Sequence, residues 1–312
     1  CDGKVLSNLV ANQEIHKSYG GVVPELASRA HQSNIVPVVH QALTIANIEK
    51  KDLSAIAYTR GPGLLGSLLV GSSFAKSLSL SLKIPLIEVN HMQAHLLAHF
   101  IEDCGEEKPK FPFIGVTISG GHTQIVLVKD YFDMKIIGET LDDAVGETFD
   151  KCGKMIGLPY PAGPVIDKNS KLGDPKKFTF TRPKVADLNF SFSGLKTSLL
   201  YFMDDFKETR SIKLNDVIAS YQKAIIDVLV EKVNRALNIT GFKTCIIAGG
   251  VAANQSLRKE LSSVLRSKEI IFPELSFCTD NAAMIGYVGE LKLKNRNYES
   301  INFSVKPNLK LI

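Results

Sequence analysis

Residues 244–254 read Thr-Cys-Ile-Ile-Ala-Gly-Gly-Val-Ala-Ala-Asn, and this stretch sets the fold expected of the chain. Thr244–Ala248 is a short apolar run, long enough for a buried strand and too short for a helix. Gly249-Gly250 breaks it, and helix-forming residues follow. The same order of strand, glycine turn and helix recurs upstream. Leu53–Tyr58 runs into Thr59-Arg60-Gly61-Pro62-Gly63 and then into a small-residue helix from about Leu64 to Leu82. Pro85–Val89 runs into Asn90 and a histidine-bearing helix. Phe113–Ile118 breaks at Ser119-Gly120-Gly121, and Gln124–Lys129 continues as the second arm of a hairpin. Ile270–Phe272 and the following Thr279–Ala283 close the pattern as strand then helix. No short-period repeat is present. The fold class expected is α/β, as two domains facing a cleft, with ligands bound at the glycine turns where strands end.

Other segments fill in around this frame. Cys1–Lys4 reads as a turn entering a strand over Val5–Val10, and Pro24–Ala46 and Val217–Leu237 read as helices. Residues 104–110 (CGEEKPK) are charged and turn-rich and mark a boundary, Tyr160–Pro164 is a Pro/Gly turn, and Lys171–Lys184 is a basic loop. The composition is that of a soluble globular protein, with 45% apolar and 22% charged residues among 312 and a formal net charge of +5. That charge permits nucleic acid as a partner without requiring it. Five cysteines, with no CxxC, indicate neither a disulfide frame nor a zinc ribbon. No apolar run is expected to span a bilayer and no signal or transit peptide is read at the start, so the cytoplasm is the expected compartment.

Several clusters carry chemistry. His91-Met92-Gln93-Ala94-His95 sets two imidazoles one helical turn apart, which is metal-ligand spacing, and His99 continues that face. Met92 stands where a zinc protease would have its glutamate, so protease chemistry is unsupported. A pair of surface or capping histidines is the plain alternative. Thr117-Ile118-Ser119-Gly120-Gly121 is either a phosphate-approaching loop or an ordinary hairpin turn. Gly249-Gly250 ahead of Asn254 is either an anion-binding helix start or a close-packed turn. Asp142, Asp143, Glu147 and Asp150 could hold ribose or a cation, or could form a solvated acidic helix. Lys176, Lys177, Arg182, Lys184 and Lys196 interleave with Phe178, Phe180, Phe190 and Phe192, a pattern suited to RNA or to a basic loop beside a core strand.

Taken in order, HKSYGGVVPELASRAH, TRGPGLLGSLLVG, NHMQAHLLAH, SGGHTQ, DDAVGETFDKCGKMIGLPYPAGP, FSFSGLKT, GGVAANQSLR and TDNAAMIGY resemble the TsaD/Kae/Qri family of tRNA adenosine threonylcarbamoyltransferases. The resemblance covers about Val5 to Val288. It implies the two-domain fold of actin, hexokinase and sugar kinases, with a nucleotide cleft between the domains. Residues 1–109 together with about 288–312 would form one domain and 110–287 the other. The family's opening strand and ETSCDDT-like phosphate loop have no counterpart in the sequence. The resemblance further implies transfer of a threonylcarbamoyl group from threonylcarbamoyl-AMP to the exocyclic amine of the adenosine after the anticodon, in tRNAs reading codons that start with A, with release of AMP. Family metal ligands fall on His91, His95 and Asp280, for one divalent ion, Fe2+ or Zn2+. Substrate contacts fall on Thr117, Ile118, Ser119, Gly120, Gly121, Asp150, Gly163, Asp167 and Asn254, with ATP or ADP as a further bound nucleotide. The implied partners are tRNA, an inactive TsaB-like paralogue and a TsaE-like P-loop ATPase, with the helix from about Ser28 to Leu43 as a partner surface. Two other readings of the same fold are an ATP-dependent small-molecule kinase, which would need no histidine pair, and a non-catalytic nucleotide-binding scaffold.

Overall fold

A computed structural model gives the fold, describing residues 2–102, 108–206, 212–298 and 304–311. In chain order the elements are α1 (Ile15–Tyr19), α2 (Pro24–Ala46), β1 (Ile56–Gly61), α3 (Leu65–Leu82), β2 (Leu86–Asn90), α4 (His91–Leu97), β3 (Phe113–Ile118), β4 (Thr123–Asp130) and β5 (Asp133–Glu139). They continue with α5 (Val145–Met155), α6 (Ala162–Ser170), α7 (Ser193–Phe206), α8 (Leu214–Thr240), β6 (Thr244–Ala248), α9 (Gln255–Val264), β7 (Glu269–Ile271), α10 (Leu275–Cys278) and α11 (Ala282–Lys294). The chain divides into two compact units, Cys1–Lys108 with Thr279–Ile312, and Pro109–Cys278.

In the first unit β1 and β2 pair in parallel, Ile56 opposite Leu86 and Thr59 opposite Val89. Such a pair needs a crossover, and α3 supplies it while packing on β1 and α2. α2 begins at Pro24, whose missing N–H costs nothing in a first turn, and stops where Asn47 turns left-handed at φ 53°. Only Ala27 of α2 is fully buried. α11 packs on α4, β1 and β2, so the chain returns to this unit at Thr279, ahead of the expected 288. A methyl on Gly289 would stand 2.5 Å from Ala57 Cβ, which is how closely α11 approaches β1. Val5–Val10, expected as a strand, is irregular. Apolar alternation gives a strand only where a neighbouring strand takes up the ladder, and no strand pairing includes this stretch among the described residues.

The expectation that no apolar run could span a bilayer is also corrected. α3 has 18 residues with mean hydropathy 1.2, enough by length and composition alone. Its six serines and its packing on β1 and α2 account for it as a helix of this unit.

The second unit is built on a five-stranded sheet in the order β5-β4-β3-β6-β7. β3, β4 and β5 form an antiparallel meander, while β6 and β7 add in parallel, Thr117 opposite Ala248. β3 is buried at all six positions, as the continuous apolar reading required. The 27-residue α8 covers the sheet, and Tyr221, Ile225, Leu229 and Val233 pack into one core with Ile114, Val116 and Ile118. Phe180, Phe190 and Phe192 belong to that core, so these rings are not the RNA-stacking surface their spacing allowed. The helix expected directly after Gly249-Gly250 starts only at Gln255, because residues 250–253 form one tighter 3-10 turn.

Candidate metal centre and phosphate loop

β2 ends at Asn90, and the Asn90 side chain caps α4 by accepting the N–H groups of Met92 at 2.9 Å and Gln93 at 3.2 Å. The cap starts the helix at His91, so His91 and His95 project from one face one turn apart. Asn281 caps α11 in the same way, its Oδ1 accepting the Met284 N–H at 3.1 Å. Asp280 is therefore held one residue outside a helix start, opposite α4. Asp280 Oδ1 lies 3.1 Å from His95 Nε2 and 3.3 Å from His91 Nε2, and the three ligand atoms fall within 4.8 Å of one another. Ligands at about 2.1 Å from a common ion stand roughly 3.0–3.4 Å apart, the range of both Asp280–imidazole distances, and the two imidazoles, within 4.8 Å of each other, would close on an ion held by all three.

Three donors would leave a position open on a bound ion, as in metal sites that also take substrate. His95 is buried and Asp280 is 76% exposed, so the accessible side of the triad is the acid. Desolvation opposes charge on Asp280, but hydrogen bonding to His91 and His95 outweighs it and holds the carboxyl well below the usual range. His99, expected on the same face, lies in the 3-10 turn after α4 and is not among the clustered ligands.

In the second unit β3 ends in the loop Ser119-Gly120-Gly121. Ser119 Oγ accepts the N–H groups of Gly121 at 3.3 Å and His122 at 3.1 Å, and Ser119 N–H donates to the His122 carbonyl at 2.8 Å. The loop is braced from two sides. At the start of α5, Gly146 N–H donates to the Ser119 carbonyl at 3.1 Å and Val145 N–H to Thr123 Oγ1 at 2.9 Å. A methyl on Gly146 would stand 2.7 Å from that same carbonyl oxygen. On the other flank Gly249, at φ 92°, approaches so closely that a methyl there would stand 2.6 Å from the Ile118 carbonyl oxygen. Gly120, Gly121 and Gly163 differ from these two. Each has open space where a side chain would go, and none has a left-handed backbone.

Asp150, Gly163, Asp167 and Asn254 are tied into one network. Asp150 Oδ1 accepts the Ala162 N–H at 2.8 Å, next to Gly163 at the start of α6. Asp167 on α6 accepts the N–H groups of Gln255 at 3.0 Å and Ser256 at 3.2 Å and the Ser256 hydroxyl at 2.8 Å, and so sits on the N-terminus of α9. Asn254 caps α9 through the Leu257 N–H at 2.8 Å and donates to Gln222 Oε1 at 3.0 Å. Gln222 of α8 donates in turn to Ser170 Oγ at 2.8 Å. Gln222, Gly146 and Ser256 carry no sequence signal of their own, because nothing in their local spacing distinguishes them.

The rest of the acidic segment has internal duties. Asp142 caps α7 by accepting the Phe192 N–H at 2.7 Å, and Asp143 pairs with Lys151 at 2.7 Å and Lys196 at 3.5 Å. Desolvation raises the pKa of Asp150, against the Ala162 and Gly163 amides that lower it. An acid raised in the folded state penalises folding once pH passes its unfolded value. Asp150→Asn is therefore expected to gain stability over wild type as pH rises from 3 towards 6, roughly the carboxylate range. Thermal unfolding of both proteins across that range checks it, and a constant difference would refute it.

The two-unit architecture is that of the actin/hexokinase/sugar-kinase class. Two solved structures share the fold: full-length HypF in a phosphate- and nucleotide-bound form, with TM-score 0.62 and 14% identity over 85% of this chain and 42% of that one, and HypF of T. kodakarensis, with TM-score 0.63 over 85% and 44%. The profile of the family TsaD, tRNA N6-adenosine threonylcarbamoyltransferase, matches residues 4–287. Relatives under that name include a protein of Christiangramia forsetii, 57% identical over 99% of this chain and 93% of its own length. Another is a protein of Riemerella anatipestifer, 54% identical over 96% and 89%. The chain belongs to the TsaD family of acyltransferases that modify tRNA.

Proposed function

We propose that the chain transfers a threonylcarbamoyl group from threonylcarbamoyl-AMP to the N6 amine of the adenosine following the anticodon, releasing AMP. The observation that carries the donor site is the set of glycines facing open space. Packing and backbone conformation both allow a side chain at Gly120, Gly121 and Gly163, so the gain from glycine lies in close approach of a ligand. The Ser119–Gly121 loop would receive the phosphate end, with Thr117 and Ile118 leading into it. Thr117 Oγ1 is buried with no hydrogen-bond partner among the described residues, which suits a polar ligand atom. Asp150, Gly163, Asp167 and Asn254 would receive the nucleoside. ADP or ATP would fit the same contacts.

The donor is a mixed anhydride with AMP as leaving group, so the chain needs no covalent nucleophile. Its work is to hold the anhydride and offer backbone dipoles to charge that develops on it. His91, His95 and Asp280 would hold one Fe2+ or Zn2+ ion, which when bound supplies Lewis-acid polarisation and a template for oxygen ligands. We assign the exposed side of α2 to a TsaB-like paralogue, with a TsaE-like ATPase as the further partner, in the cytoplasm. Val36 and Ile45 of α2 are 61% and 55% exposed, apolar surface of the kind that partners cover.

The test mixes purified chain, threonylcarbamoyl-AMP and unmodified tRNA, with the proposed partners added in a second arm. Modified tRNA and AMP should form in equal amounts, and His91→Ala should abolish both. Phosphorylation of a small molecule from ATP, with no transfer to tRNA in either arm, would replace this reading with the kinase one.

A further inference from the structure

The chain's net positive charge is matched by one segment. Residues 168–184 hold Lys168, Lys171, Lys176, Lys177, Arg182 and Lys184 against the single acid Asp174, a net +5 that equals the formal charge of all 312 residues. The remainder of the chain is therefore neutral. From 171 onward this segment is coil, yet its shape is fixed by side chains of α7 and α8. Asp174 N–H donates to Asp216 Oδ1 at 2.8 Å, Phe178 N–H to Ser220 Oγ at 3.1 Å and Thr181 N–H to Ser198 Oγ at 3.3 Å. Lys232 clamps the far end through the carbonyls of Val185 at 2.9 Å and Asp187 at 2.8 Å. Phe180 anchors the middle, buried edge-on against Tyr221 at 5.2 Å. The rings point in, and Lys171, Lys176, Lys177 and Lys184 are exposed without a carboxylate partner among the described residues.

We infer that this strap is a docking surface for the sugar-phosphate backbone of the substrate tRNA. Exposed point charges on a pre-shaped coil lose little entropy on meeting phosphates, and each contact releases counterions. A protein partner would want apolar or aromatic anchors, and Leu172 is the one large apolar side chain exposed on the strap. The strap's root also argues for this surface. Ser170, the last residue of α6, is bound through Gln222 to Asn254, and Asp167 lies on the same helix. The lysines thus begin one turn from the residues assigned to the donor nucleoside, and the inference rests on that assignment for its place in the reaction. Such contacts position RNA and read no sequence.

The experiment measures binding of fluorescently labelled, unmodified tRNA over a range of KCl concentrations. It compares the wild-type chain with a variant carrying Lys171→Gln, Lys176→Gln, Lys177→Gln and Lys184→Gln. A control of equal charge carries Lys50→Gln, Lys51→Gln, Lys129→Gln and Lys135→Gln. The strap variant should bind roughly tenfold or more weakly and flatten the slope of log K against log salt by about 3, roughly 0.7–0.9 for each phosphate no longer neutralised. The control should match wild type. AMP binding, measured in parallel, tests the nucleoside assignment separately and should be unchanged in both. An unaltered slope in the strap variant, an equal loss of affinity in the control, or no tRNA binding by wild type overturns the inference.

Discussion

His95→Ala and Asp280→Ala should each abolish binding of the proposed metal and lower threonylcarbamoyl transfer by at least about a hundredfold, with unequal costs in stability. Both supply a ligand atom within 4.8 Å of the other two, and losing one of three protein ligands leaves too few for tight binding. Even outer residues that merely orient ligands cost about 10–100-fold when removed, so a direct ligand sets a higher floor. Stability separates the two substitutions. His95 is 2% exposed and packed beneath α11, so its truncation leaves a cavity and should cost about 2–4 kcal/mol. The Asp280 side chain is 76% exposed, so its removal leaves no cavity and costs only its hydrogen bonds to His91 and His95, about 1 kcal/mol in the metal-free protein. Atomic emission on the purified variants, with denaturant unfolding in chelator, checks both parts. Full metal occupancy in Asp280→Ala would remove that residue from the site.

The helix that carries this site was legible because its signals are local. Asn90 follows a strand end and caps, and the histidine spacing sets the face. Asp280 was not legible from local pattern, since a lone acid before Asn281 says nothing about a ligand 185 residues away. Only the order of motifs along the whole chain named it. β3 and β6 were legible as unbroken apolar runs, whereas β5 was missed because Asp133-Met134-Lys135-Ile136-Ile137 mixes charge into an edge strand. The phenylalanines of the strap show another limit. A coil of alternating lysine and phenylalanine reads the same whichever set turns inward, and here Ser220, Asp216 and Tyr221 on α8 settle it.

Alanine at Gly249 and alanine at Gly120 should fail for different reasons. Gly249 combines φ 92° with a carbonyl oxygen 2.6 Å from any added methyl, so Gly249→Ala should destabilise the second unit by about 2–4 kcal/mol from strain and overpacking together. Gly146→Ala should cost about 1–3 kcal/mol, since its backbone conformation is ordinary and only the clash with Ser119 remains. Gly120→Ala meets open space with an unstrained backbone, so its unfolding should match wild type within about 0.5 kcal/mol. The same methyl would occupy the surface offered to the donor's phosphate. Preorganised backbone donors act only at contact distance, and removing one such donor costs about 100-fold or more. Gly120→Ala should therefore raise the KM for threonylcarbamoyl-AMP or lower kcat by roughly that factor, with the KM for tRNA unchanged. A stable Gly120→Ala protein with wild-type kinetics would mean that no ligand uses the space, and the phosphate assignment of the Ser119–Gly121 loop would fall with it.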